Sequence, residues 1–99
     1  VEVVALVDTG FSEFLLLPSR CVEDLGLAEL PDADTLRLAD DTEATFRLYE
    51  CAVVWADEER AVVVHAAEAS PLVGMALLWQ HRLTVDVEIN GALTIEPLM

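Results

Sequence analysis

One tripeptide in the sequence has the composition of a reactive site. Asp8-Thr9-Gly10 directly follows the apolar run Val1–Val7. An Asp at the mouth of a strand is held rigidly. The small Thr can fix the turn through its hydroxyl, and Gly lets the backbone approach until amide groups face the carboxylate. Such an Asp serves as a general base for water when a second carboxylate lies at hydrogen-bond distance. Two such charges cannot both ionise, so the pair keeps one proton. That proton polarises a carbonyl while the ionised partner activates water. Alone, the tripeptide is a weak signal, because a plain strand-ending turn uses the same residue types. No other carboxylate is comparable. Asp40 and Asp41 fall in a polar hairpin tip, and Asp86 alternates with Val85 and Val87 and so faces solvent.

The elements that must position Asp8 follow a period of two. Val1, Val3, Ala5 and Val7 alternate with Glu2, Val4 and Leu6, which predicts a strand apolar on both faces near its end. Phe14–Leu17 is a second apolar run, closed by Pro18. Ser19 is the expected cap of a short helix through Leu25, with Gly26 at its C-terminal end. Residues 28–34 read as a surface loop. Leu36 and Leu38, then Phe46 and Leu48, flank Asp40-Asp41-Thr42-Glu43, a hairpin with a charged tip. Cys51–Ala56 and Ala61–Ala66 are β-rich runs joined by Asp57-Glu58-Glu59-Arg60. Leu72-Val73-Gly74 precedes one or two helical turns over Met75–Gln80, with Leu77 and Leu78 facing inwards. Leu83–Ile89 and Ala92–Glu96 form a last pair of strands around Asn90-Gly91, a strong hairpin signal. Eight or nine short strands and two short helices predict a compact, mostly antiparallel β barrel or sandwich in one domain spanning 1–99.

Composition narrows the function classes. The 99 residues carry five cations, all Arg, against 19 carboxylates, for a net charge of −14, and 55% are hydrophobic. That is one small globular domain, too apolar for disorder. It repels polyanions, which excludes a basic nucleic-acid module and an anionic membrane surface as partners. No apolar run reaches transmembrane length, and no signal peptide is visible at Val1, so the expected location is cytoplasmic. Cys21 and Cys51 read as two reduced, buried thiols. His65 and His81 lack other ligand types at metal-binding spacing, so no metal is expected and a metal hydrolase is a poor reading, while water activated by paired carboxylates would need no cofactor.

Residues 5–12, Ala-Leu-Val-Asp-Thr-Gly-Phe-Ser, resemble the active-site loop of retropepsin-like (clan AA) aspartic proteases. Sixty-four residues on from Asp8 (72 − 8), Leu72-Val73-Gly74 and the short helix after it resemble that family's second signature. The 36–48 hairpin lies where the family carries its substrate-covering flap. Phe11, the Leu-Ala-Asp before the hairpin tip and the closing Thr-Ile-Glu-Pro-Leu are most similar to a prokaryotic branch. The resemblance implies a closed β barrel with one or two short helices and a flap hairpin.

It also implies residue roles. Asp8 matches the catalytic aspartate. Thr9 matches the residue that interlocks with its counterpart across the dimer axis, and Gly10 the position whose backbone lies against the carboxylates. Ser12 matches a position that often hydrogen-bonds the catalytic Asp. Asp40, Asp41 and Thr42 fall at the flap tip. Leu72, Val73 and Gly74 match the structural loop behind the active-site turn. Phe11 replaces the small Ala of viral members, and the acidic tip replaces their Gly-rich one. A further N-terminal strand is expected before Val1.

One Asp8 per chain cannot form a proton-sharing pair, but a two-fold axis brings the residue to its own copy. The expected assembly is a homodimeric endopeptidase with an extended peptide or protein substrate bound by strand-like pairing. The alternative is a non-catalytic peptide-binding or dimerisation module on the same fold.

Overall fold

A computed structural model of the chain describes residues 2–55 and 57–98. The structure is mostly β, in one compact domain with two short helices. Chain order is β1 (Leu6–Val7), β2 (Leu15–Pro18), α1 (Ser19–Leu25), β3 (Ala28–Arg37), β4 (Glu43–Trp55), β5 (Glu58–Ala67), β6 (Leu72–Val73), α2 (Met75–Leu78), β7 (His81–Val85) and β8 (Leu93–Pro97). Six strands make one sheet in the order β1-β6-β2-β5-β4-β3, and β7-β8 form a separate pair. Most pairings are antiparallel, but β1 runs parallel to β6, and β2 parallel to β5. Among the described residues no pairing joins β1 to β3, so no closed barrel is found.

The middle of the sheet explains the most apolar stretch of sequence. β2 lies between β6 and β5, and Leu15, Leu16 and Leu17 are all buried, as a strand covered on both faces requires. Alternation then divides side chains between two faces. Leu15, Leu17, Val62 and Val64 enter the main core with Val22, Val73, Leu77 and Leu78. Leu16 pairs in register with His65, which pairs with Leu48 of β4 on its other side. These three share the opposite face, where Phe11 and Phe46 set their ring edges against His65.

Several expectations need correction. Residues 28–34 are not a loop. β3 covers them, paired to β4, with a register break between Glu29 and Ala33, where Leu30, Pro31 and Asp32 lie. The 43–55 stretch is one long strand, because pairing to β3 and β5 supports it from end to end. The first strand shrinks to Leu6–Val7, an edge piece with only two paired residues. Its expected start at Val1, like the strand end at Ala56, lies outside the described residues. Trp55 already pairs with Glu58, so the β4–β5 turn is tighter than expected, and Asp57 takes a positive φ of 65°. Pro18, not Ser19, is the N-cap of α1, with no side-chain cap bond, whereas Gly26 ends the helix in the left-handed region as read. α2 stops at Leu78, with Leu77 and Leu78 buried as expected. Asn90-Gly91 is not a two-residue turn. Val85 pairs with Leu93, so residues 86–92 form the loop. Asn90 supplies the positive φ, and a side chain on Gly91 would overlap the Asp86 carbonyl.

Candidate functional site

Asp8 leaves the end of β1 half-buried, with its backbone pinned on two sides. Its amide donates to the Val73 carbonyl (2.9 Å), and its carbonyl accepts from the Phe11 amide (3.1 Å). The second contact closes a turn over Asp-Thr-Gly-Phe. Within that turn the Gly10 amide donates to Asp8 Oδ1 at 2.9 Å. A Cβ on Gly10 would stand 3.2 Å from the same oxygen, so Gly keeps the carboxylate and the amide in reach of each other. Thr9, Gly10 and Ser12 are exposed. The carboxylate therefore sits at a solvent-facing turn at a strand end, with one oxygen held by the Gly10 amide. Ser12 makes no hydrogen bond to Asp8 and lines an open hollow with Phe14, Met75 and Trp79.

The Leu72-Val73-Gly74 segment lies directly behind the turn. Leu72 and Val73 pair with Leu6 and Val7 on one side, and with Leu16 and Leu15 on the other. Gly74 donates to the Phe14 carbonyl (3.0 Å), and Met75 to that of Phe11 (2.7 Å). A Cβ on Gly74 would overlap the Glu13 carbonyl and meet Phe11 Cδ2 at 2.6 Å. Two segments far apart in sequence are thus locked backbone to backbone, and Asp8 rides on that lock.

Asp40, Asp41 and Thr42 form the tip of the β3–β4 hairpin. Asp40 Oδ1 accepts from the Thr42 hydroxyl (2.6 Å) and amide (3.1 Å). Both bonds hold its carboxyl below its usual pKa, the hydroxyl having the larger effect. Asp41 takes a positive φ of 70° and pairs with Arg37 at 2.8 Å. The tip is an ordered, solvated turn.

Sequence spacing missed one cluster. His65 is only 2% exposed, and its Nε2 lies 2.9 Å from Asp34 Oδ2. Glu13 joins them, with one donor atom from each residue within 4.8 Å of the others. His65 is therefore not isolated from other ligand types. Only alternation along β3 and β5 could have hinted that Asp34 and His65 share a face. The two thiols are free and half-buried rather than fully buried. Burial, and secondarily Cys21, pushes the Cys51 thiol up. Among the described residues, no helix is long and apolar enough to cross a membrane.

Compared with family models, with curated proteins and with solved structures, the chain matches none.

Proposed function

We propose that the chain is one half of a homodimeric aspartic endopeptidase of the retropepsin-like kind, in which two Asp8 carboxylates share a proton and activate water. The observation that carries this reading is the Asp8 turn: a half-buried carboxylate at a strand end, bonded to the Gly10 amide and locked to Val73. The paired acids would polarise the scissile carbonyl and deliver water to it, with no covalent intermediate and no cofactor. Thr9 and Gly10, exposed beside Asp8, are free to meet their copies across a two-fold axis. The chain also leaves apolar surface for a second copy. Val4 and Leu6 on the segment leading to Asp8, and Val87 and Ile89 in the β7–β8 loop, are largely exposed. The β3–β4 hairpin would cover an extended peptide, with Asp40, Asp41 and Thr42 at its tip.

The test is cleavage of an unstructured peptide library over a range of pH, with the dimer measured in parallel. Asp8→Asn keeps the shape and removes the shared proton, so it should abolish cleavage while leaving the fold and the dimer intact. If wild type and Asp8→Asn are equally inactive while dimeric, the chain is a peptide-binding or dimerisation module instead.

A further inference from the structure

We infer that Glu13, Asp34 and His65 form a binding site for one divalent transition ion of the zinc type. This inference is independent of the protease reading. The three residues come from the loop after Asp8, from β3 and from β5, and their donor atoms lie within 4.8 Å of one another. His65 occupies a position where an apolar side chain would be expected. It is 2% exposed, between the rings of Phe11 and Phe46, each about 6 Å away centre to centre. Its Nδ1 is the one buried side-chain nitrogen or oxygen without a partner among the described residues. Its Nε2 bonds Asp34 at 2.9 Å, and a Glu13 carboxylate oxygen lies within the same group of donor atoms. No Arg pairs with either of them among the described residues, in a chain of net charge −14. The cluster thus combines a buried imidazole with two carboxylates that no Arg among the described residues neutralises.

The donor set selects the ion class. One imidazole and two carboxylates suit zinc and its first-row neighbours better than a hard ion that prefers oxygen alone. Around a tetrahedral zinc with bonds of about 2.1 Å, ligand atoms stand about 3.4 Å apart. Binding an ion would require the Glu13 and Asp34 carboxylates to turn inwards from separations of up to 4.8 Å. Asp34 has a side-chain exposure of 38%, which leaves a path for the ion and a fourth position for water. A bound ion would tie β3 to both the Asp8 loop and the centre of the sheet.

The experiment uses the full chain, stripped with chelator and titrated with zinc chloride in about 0.15 M salt, where diffuse surface attraction is screened. One ion per chain is expected, with a rise in melting temperature and a shift of the His65 ring nitrogen signals. Removal of even an outer partner of a metal site costs roughly 10–100-fold in affinity, so Glu13→Gln and Asp34→Asn should each weaken binding at least about tenfold. Both substitutions keep side-chain size, and circular dichroism checks the fold. Should a variant fail to fold, the His65 signals of the wild type decide. Absence of saturable binding, ring signals that do not move, or binding unchanged in both folded variants would overturn the site.

Discussion

Gly74 is buried where two backbones leave no room for a side chain. The atoms it would strike include the carbonyls of Glu13 and Phe11, which are held in hydrogen bonds to Ala76 and Met75. Gly74→Ala should therefore destabilise the fold by about 1–3 kcal/mol, the usual range for overpacking. A lowered denaturation midpoint with unchanged slope would show it. The same change should move Asp8 amide signals, because the two loops share one hydrogen-bond network. At Gly26 the reason for glycine is different. Nothing lies within 4 Å of a Cβ there, but φ is +63°. Gly26→Ala should cost about 1 kcal/mol from backbone conformation alone, read as a small drop in melting temperature. Both glycines were legible as glycines in the sequence, one in a short signature and one at a helix end. Gly74's close contacts were not, because they involve a loop some sixty residues away.

At the scale of elements, the β3–β4 hairpin shows what local chemistry can and cannot specify. Its tip was legible, since Asp, Asp and Thr between two apolar flanks favour a turn. The Asp40–Thr42 bonds bear this out and have a pH consequence. Asp40's folded pKa lies below its unfolded value, so the bonded turn is favoured above the ordinary carboxylate range. The preference is lost as pH falls through the depressed folded value. The Thr42 amide should thus lose its downfield position and its exchange protection in acid, and Asp40→Ala should remove that titration. An unchanged Thr42 signal across the acid range would refute the turn's dependence on Asp40. The first part of the strand leading into this tip was not legible. Residues 28–34 contain Pro31 and three acidic residues, a loop-like composition, yet β4 supplies backbone partners on both sides of a register break. Cross-strand pairing overrode local preference.

For the whole molecule, charge and exposed apolar surface act in opposite directions. Each chain carries −14, so a dimer carries −28 (−14 × 2). Val4, Leu6, Val87 and Ile89 favour association through apolar contact, while the charges oppose it. Screening shortens the reach of the repulsion from about 30 Å at 0.01 M salt to about 8 Å at 0.15 M. The proposed dimer should therefore tighten as salt rises, measured by sedimentation equilibrium. Tighter association at low salt would mean that complementary charge, rather than apolar surface, joins the copies. If the dimer cleaves peptides, basic ones should be preferred, and that preference should fade with salt.

The sequence by itself determined what depends on near neighbours: the Asp8 turn, the helix that ends at Gly26, the inward Leu77 and Leu78, and the polar hairpin tip. Each follows from residue type, spacing and backbone preference within a few positions. Only the tertiary structure decided that β2 runs parallel to β5, that Gly74 locks the Asp8 loop, and that His65 meets Asp34 and Glu13 on one face. Strand order sets which distant residues share a face. That order comes from how the whole sheet buries its apolar surface, which no local stretch of chain encodes.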